Sequence, residues 1–432
     1  MITSPEKSTD IRLPVRERSA ASVHMDAIRG LAALSVLAAH YSTFFLWLLI
    51  SETDCRKHTL LKYLRTVLSL PVHYAHYAVL VFFVLSGYLI SSSVARSFST
   101  NSFSWSRYLI QRLTRLYTVL IPALIACAII DMVGRHMFGN WQCATENLYH
   151  VQWWNLHTDW QHLITFTKFH DGSPKTFVMN IFFLEGILCT TFGIDSPLWS
   201  LSYEFWYYLL FPLLLLISYD IRKASKVLYV VLVLMILLFV GKPISVYFLV
   251  WLMGYFVYRA RGIKCDSRLA TAVAIVSIIV GSGALGWTGA TISDFVYSFC
   301  FSVILFCILR TTSSTPGCLL PRWYVAVSKQ FADLSYSLYL LHFPFLLAAL
   351  RFVSLPSHHW SEPFMKFVVL SIPFFAVCYV WLIWSVTEKK TPEVRRFFEQ
   401  LLLRSSQAQL VEINTPTEST AKSASYELRI RP

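Results

Sequence analysis

The chain has 432 residues, of which 56% are hydrophobic and 14% are charged. Soluble proteins carry about 25% charged residues, so this composition excludes an ordinary soluble domain and indicates a protein that crosses the membrane several times. The formal net charge of +13 is scattered between apolar runs and not gathered in one basic region, which argues against a nucleic-acid-binding protein.

Residues 1–23 are polar and charged and lack the apolar core of a signal peptide, so we predict a disordered tail. The membrane domain follows at 24–390, and the segment 391–432 is predicted to be a second tail, largely disordered. Apolar runs of spanning length are found at 27–50, 74–95, 115–134, 198–217, 227–241, 243–259, 269–288, 292–310, 331–352 and 364–386. The sequence thus predicts an all-α, polytopic membrane bundle of about ten helices, with a tight turn at Gly241-Lys242-Pro243.

The basic residues indicate the orientation of this bundle. If the N-terminus is cytoplasmic, 26 of the 37 lysines and arginines fall in inside segments and ten in outside segments. The positive-inside rule therefore places both termini in the cytoplasm.

The first span carries three ionisable residues, Asp26, Arg29 and His40. At about 100° per residue they lie within an arc of about 60° on one helix face. Such groups are costly in lipid, so this face should line a protein interior or a water-filled cavity. The structural alternative is an Asp–Arg anchor at the inner interface and a separately buried histidine.

Basic residues also lead into the third span, where Arg112 and Arg115 are about one turn apart. They could be positive-inside anchors, or they could hold the phosphates of a nucleotide-bearing donor, since guanidinium binds phosphate bidentately.

Two later spans contain further candidates. Glu204 lies in an aromatic-rich helix about one turn after Trp199 and Ser200, and His342 interrupts an apolar span beside Pro344. A carboxylate inside a span needs a cation or a polar ligand, whereas the histidine could equally be a satisfied core residue.

The predicted outer loop at 135–176 holds five histidines and four tryptophans. No helical pair of metal-ligand spacing is found, so we predict no metal site and favour interfacial aromatics, with a stacking surface for a sugar or lipid as the alternative. A disulfide between Cys55 and Cys143 stays open.

Five motifs in order over about residues 24–390 resemble the acyltransferase-3 family of integral membrane acyltransferases, which includes bacterial polysaccharide O-acetylases. They are the Asp26/Arg29/Gly30/His40 pattern, VFFVLSGYLIS with Ser86 and Gly87, the arginine-rich run ending in Pro122, PLWSLSYEFWYYLLFP, and SYSLYLLHFPF. In one departure, Phe205 stands where many members have a second acid after Glu204, which puts a carboxylate pair in doubt.

The resemblance implies an acyl-CoA donor, most often acetyl-CoA, bound from the cytoplasm, and a carbohydrate or lipid-linked acceptor that is often extracytoplasmic. It implies a bacterial inner membrane, a catalytic His40, and donor binding by Arg29 and the region of Arg112 and Arg115. His40 would remove the proton of an acceptor hydroxyl or carry the acyl group transiently, and Glu204 or Asp26 would orient its ring.

Two alternative functions are compatible with the sequence. A secondary transporter of a charged small molecule would also need intramembrane His, Arg and Glu, although the chain shows no internal repeat. The other is a scaffold or channel subunit of an envelope polysaccharide assembly, in which these residues would have no chemical role.

Overall fold

The computed structural model describes residues 19–138, 171–220, 222–263, 266–284, 290–313, 320–354 and 360–414. The helices in these stretches are α1 (Ala20–Leu49), α2 (Glu52–Lys57), α3 (Thr59–Ser99), α4 (Trp105–Phe138), α5 (Pro174–Ile181), α6 (Trp199–Tyr219), α7 (Lys223–Arg259), α8 (Ser267–Ala284), α9 (Ala290–Ser313), α10 (Arg322–Val353), α11 (Glu362–Val386) and α12 (Thr391–Asn414). Short 3₁₀ turns occur at Ser196–Leu198, Ala260–Gly262 and Glu388–Lys390.

Eight helices of the described residues are long and apolar enough to cross a membrane. The predicted all-α, polytopic bundle is therefore confirmed. The predicted fifth and sixth spans lie together in α7, which is broken at Gly241, where φ is 79° and ψ is 177°. The predicted seventh span is α8, a shorter apolar helix. The ten predicted spans thus correspond to eight long helices, one of them broken, and to α8.

Several helices extend beyond the apolar run that predicted them. The helix α3 begins at Thr59 rather than near residue 74, and α4 begins at Trp105 rather than near 115. A hydropathy pattern detects only the apolar part of a helix, so it does not detect helical turns that precede or follow the apolar run.

The two predicted tails are partly helical. Ser19 caps α1 by accepting from the backbone N–H of Ser22, so the helix begins at Ala20, inside the predicted N-terminal tail. Helix α12 (Thr391–Asn414) occupies the first part of the predicted C-terminal tail, and a hydrogen bond of 2.8 Å between the hydroxyls of Thr118 and Thr391 joins its start to α4. Residues 1–18 and 415–432 lie outside the described residues.

Glycines allow two close helix contacts. A Cβ at Gly87 would lie 1.9 Å from the carbonyl oxygen of Trp251, and a Cβ at Gly254 would lie 2.1 Å from that of Val84, so α3 and α7 cross backbone to backbone. A Cβ at Gly30 would lie 2.6 Å from Cβ of Phe331, so α1 also lies close against α10. Small residues at such crossings are typical of membrane helix packing.

The stretch between α5 and α6 contains no α-helix and buries part of its side chains in the protein interior, and we call residues 182–198 the α5–α6 connection. Phe183 stacks on Phe205 of α6 with ring centres 4.5 Å apart. The fully buried Asn180 donates to the carbonyl of Thr190 at 3.0 Å and accepts from the N–H of Phe192 at 3.1 Å. These bonds satisfy backbone groups that a helix would otherwise pair, which is the condition for irregular backbone inside a membrane protein.

Candidate functional site

His40 of α1 and His342 of α10 meet inside the bundle. Nδ1 of His40 lies 3.0 Å from Nε2 of His342, and Nδ1 of His342 lies 2.7 Å from the carbonyl oxygen of Leu338. A carbonyl only accepts, so Nδ1 of His342 carries a proton, and the Nε2 of a neutral His342 is an acceptor. His40 then donates from Nδ1, which makes Nε2 the unprotonated nitrogen of a neutral His40 ring.

Arg29 lies on the same side of α1 as His40, because both contact α10. Its Nη2 donates to the carbonyl of Ala332 at 3.3 Å and to Oγ of Ser335 at 3.5 Å. Its Nη1 lies 4.0 Å from Oδ1 of Asp26, one turn earlier. The shared face that the helical spacing predicts is therefore confirmed for Arg29 and His40.

Glu204 is held by a residue of its own helix, α6, and by one of the neighbouring helix α3. Its Oε1 accepts from the hydroxyl of Tyr208 and, at 3.1 Å, from Oγ of Ser86. Nε1 of Trp251 donates to the same Ser86 oxygen at 3.3 Å. The crossing of α3 and α7 thus places Ser86 beside Glu204, and two motifs that are far apart in the sequence come together.

The ring paired with His40 is that of His342, a different partner from the one the sequence suggests. From the sequence, Glu204 or Asp26 was predicted to orient the His40 ring. In the structure Glu204 accepts hydrogen bonds from Ser86 and Tyr208, and Asp26 lies beside Arg29.

Arg112 is stacked between aromatic rings of α4 and α6. Its guanidinium carbon lies 5.6 Å from the ring centre of Tyr108 and 5.9 Å from that of Tyr208. Its Nε is buried and has no hydrogen-bond partner among the described residues. Arg112 therefore keeps a donor that an added anion could use.

Arg115, one turn later, is engaged by an acid at the end of the membrane domain. Its Nη2 lies 3.4 Å from Oε1 of Glu388, and the other oxygen of Glu388 accepts from the backbone N–H and Oγ of Ser337 at 3.2 Å and 2.6 Å. Its guanidinium also lies 5.6 Å from the ring centre of Tyr336. Glu388 thus fixes Arg115 against α10.

Trp199 and Ser200 lie in the first turn of α6. Oγ of Ser200 donates to the hydroxyl of Tyr339 at 2.9 Å. The Trp199 ring packs against Tyr203 and Phe83, with ring centres 5.1 Å and 6.2 Å away. Ser200 therefore joins α6 to α10, and Trp199 serves in an aromatic contact.

Helix α10 connects the candidate residues through four of its polar side chains. Four of its residues each contact a different candidate: Ser335 with Arg29, Tyr336 with Arg115, Tyr339 with Ser200 and His342 with His40. Of these the sequence analysis selected only His342. The spacing of polar residues at 335, 339 and 342 in an apolar helix was the available signal, because such positions share a face.

The arrangement combines a buried basic nitrogen with arginines at one end of the bundle. That end is the predicted cytoplasmic one, since Arg112 and Arg115 belong to a predicted inner segment and Arg29 lies near the start of the first predicted span. Such a site can bind an anionic group at its mouth and remove a proton farther inside. Among the described residues, no three His, Cys, Asp or Glu side chains meet in a metal-binding group. Cys143 and most of the outer loop with its histidines and tryptophans lie outside the described residues.

The chain shows clear similarity to known sequences. The model of the acyltransferase-3 family, described as an acyltransferase domain, matches residues 23–383. An uncharacterised protein of Haemophilus influenzae is 26% identical over 161 residues, which cover 35% of this chain and 54% of that protein. The chain therefore spans about half the length of this curated relative. No solved structure matches the chain.

Proposed function

Because the chain belongs to the acyltransferase-3 family, we propose that it is an integral membrane O-acyltransferase that moves an acetyl group from acetyl-CoA to a hydroxyl of a carbohydrate or glycolipid. The His40–His342 pair carries this proposal. In this hydrogen bond Nδ1 of His40 is the donor, which leaves Nε2 as the unprotonated nitrogen that can take a proton. The proposed location is a bacterial inner membrane.

In the proposed reaction His40 is the general base. Nε2 of His40 removes the proton of the acceptor hydroxyl while its oxygen attacks the thioester carbonyl. The carbon–sulfur bond then breaks, and the protonated His40 returns the proton to the departing thiolate, so the products are an ester and free CoA. His342 accepts from Nδ1 of His40 throughout and keeps the ring in one orientation.

The arginines hold the donor in this proposal. Arg112 keeps a buried donor without a partner among the described residues, so we assign it to a phosphate of CoA. Arg115, which Glu388 already holds, and Arg29, which α10 holds, supply positive potential at the mouth.

Labelled acetyl-CoA tests the proposal. Membranes that contain the wild type, His40→Ala or His24→Ala are incubated with acetyl-labelled CoA, and the label is followed into polysaccharide and lipid fractions. His24 lies on the same helix and pairs with Tyr324, away from the His40 contacts, which makes it a matched control. We expect transfer by the wild type and His24→Ala and none by an equally folded His40→Ala.

Equal labelling by wild type and His40→Ala would contradict the role of His40. A labelled His40 adduct, trapped by rapid quenching, would show that His40 carries the acyl group rather than acting as a base.

A further inference from the structure

Glu204, in the second turn of α6, is an acid that the proposed reaction does not use. The hydrogen bonds from Ser86 and Tyr208 both go to its Oε1. Its other oxygen, Oε2, accepts no hydrogen bond from the described residues, and Glu204 is partly exposed. A carboxylate is very costly in lipid, so Oε2 must face a polar space between the helices.

A directed chain of hydrogen bonds fixes the Glu204 carboxylate. An indole N–H only donates, so Trp251 uses the oxygen of Ser86 as its acceptor, at 3.3 Å. The Ser86 hydroxyl in turn donates to Oε1 of Glu204 at 3.1 Å, and the Tyr208 hydroxyl donates to the same oxygen. Oε1 is therefore fully used, whereas Oε2 keeps its capacity to accept a hydrogen bond from a ligand.

Two contacts of α6 place Glu204 between Arg112 of α4 and Tyr339 of α10. Ser200, Glu204 and Tyr208 are four residues apart, so they lie on one side of α6 and follow one another by about 6 Å. The Tyr208 ring centre lies 5.9 Å from the guanidinium carbon of Arg112. Ser200 donates to the hydroxyl of Tyr339 at 2.9 Å. Glu204 therefore lies midway between these two contacts along the bundle.

The proposed donor would pass this position. In the proposed function a phosphate of CoA binds Arg112 and the thioester reacts at His40, whose partner His342 comes three residues after Tyr339 on α10. The pantetheine arm that joins the phosphate of CoA to its sulfur contains amide N–H groups and a hydroxyl. These groups donate hydrogen bonds, and an ionised carboxylate accepts them. The arm and the open oxygen of Glu204 are therefore chemically complementary.

We propose that Oε2 of Glu204 binds the pantetheine arm of the donor by accepting a hydrogen bond from an amide N–H or from the hydroxyl. A hydrogen bond to a charged acceptor is stronger than one between neutral groups, so this contact adds to the affinity for the donor. The site favours acyl donors that carry a pantetheine arm over small donors such as acetyl phosphate. Its place in the reaction rests on the proposed function, whereas its capacity to bind pantetheine does not.

Fragments of CoA test the site without any reaction. The full chain in lipid nanodiscs is heated with increasing pantetheine, the arm alone, or adenosine 3′,5′-bisphosphate, the nucleotide alone. The unfolding midpoint of the wild type should rise with either fragment, because a ligand stabilises the state that binds it. Glu204→Gln should abolish the rise with pantetheine and keep the rise with the bisphosphate. The matched control, Arg112→Ala, should show the reverse pattern.

Glutamine preserves the contacts of Glu204 but reverses its polarity toward the ligand. The amide oxygen can still accept from Ser86 and Tyr208, which places the amide NH₂, a donor, where Oε2 was. Without a fragment, Glu204→Gln should therefore unfold close to the wild-type temperature. A retained response to the bisphosphate shows that the neighbouring Arg112 is still in place.

Three results would overturn the proposal. They are no rise of the wild-type midpoint with pantetheine, an unchanged rise in Glu204→Gln, and the loss of both rises in that variant, which would show a structural role. If the wild type and Arg112→Ala respond equally to the bisphosphate, the assignment of Arg112 fails, while the response to pantetheine still decides the role of Glu204.

Transfer kinetics supply a further readout. Glu204→Gln should raise KM for both acetyl-CoA and acetyl-pantetheine at least about tenfold with little change in kcat, because a binding contact is lost. Arg112→Ala should raise KM for acetyl-CoA only. A lower kcat with unchanged KM in Glu204→Gln would contradict the proposal and favour a role in orienting His40. If the wild type transfers acetyl from neither donor, the proposed function fails, while the fragment measurement still decides the site.

Discussion

His40 depends on a residue that is 302 positions away in the chain, His342. The carbonyl of Leu338 fixes the proton of His342, and His342 in turn fixes the proton of His40. No motif in the sequence encodes this chain of two hydrogen bonds, because it forms only when α1 packs against α10. The closely placed Gly30 makes that packing possible.

Substitutions of His342 test this orientation. In His342→Gln the side-chain oxygen can still accept from Nδ1 of His40, so the turnover rate should fall about 10-fold. His342→Ala removes the acceptor and should lower it about 100-fold or more, while KM for acetyl-CoA changes little. Rates measured on purified protein check this, and equal rates for the two variants would show that the hydrogen bond does not matter.

Arg112 and Arg115 should differ although they are one turn apart. Arg112→Ala should raise KM for acetyl-CoA about 10-fold or more, because the proposed phosphate contact is lost. It should cost less stability than Arg115→Ala, because Arg112 contacts the Tyr108 and Tyr208 rings, whereas Arg115 neutralises the buried Glu388. Arg112→Lys should restore little of the affinity for acetyl-CoA, since lysine lacks the planar guanidinium that binds phosphate with two hydrogen bonds. Steady-state kinetics and thermal unfolding of the same preparations check this, and an unchanged KM would remove Arg112 from the donor site.

Arg115→Ala leaves the nearly fully buried Glu388 without its cation. We expect a loss of about 1–3 kcal/mol in stability. The double variant with Glu388→Gln should recover part of the loss, because no buried charge then remains unpaired. Unfolding measurements on the two single variants and the double variant give the coupling, and strict additivity would show that the ion pair contributes nothing.

At the scale of the helices, the close crossing of α3 and α7 predicts that Gly87 tolerates no larger side chain. Gly87→Ala would place a methyl group against a backbone carbonyl and should cost more than about 3 kcal/mol or prevent folding. Gly283→Ala in α8 is the control, since a Cβ there meets nothing within 4 Å. This control should be neutral or stabilising by up to about 1 kcal/mol. The folded yield and the unfolding midpoint of the two variants test this prediction. A Gly87→Ala variant as stable as the wild type would contradict the close crossing.

The positions of the helices were predicted better than the side-chain contacts between them. Apolar length predicted every long span, and Gly241 was recognised as a break because glycine readily adopts a positive φ. The contacts of Ser86 with Trp251 and of Arg115 with Glu388 depend on tertiary packing, which hydropathy does not contain.

On the scale of the whole molecule, four polar side chains of α10 connect the arginines at one end with the histidine pair. The positive-inside rule predicts that the arginine end is cytoplasmic. In the proposed function, the donor enters from the inner face and meets the acceptor at His40.

This orientation predicts a sided reaction. Inside-out vesicles, which expose the cytoplasmic face, should use added acetyl-CoA, whereas sealed right-side-out vesicles should not until they are permeabilised. CoA release measured in both preparations checks this, and equal rates in sealed vesicles of both kinds would contradict the predicted orientation.

The central claim is that His40 performs the transfer. Its most direct measurement compares wild type and His40→Ala in inside-out vesicles with acetyl-labelled CoA, after thermal unfolding has shown both to be folded. The account predicts labelled acceptor from the wild type and a rate at least about 100-fold lower from His40→Ala. Transfer at the wild-type rate by a folded His40→Ala would contradict it.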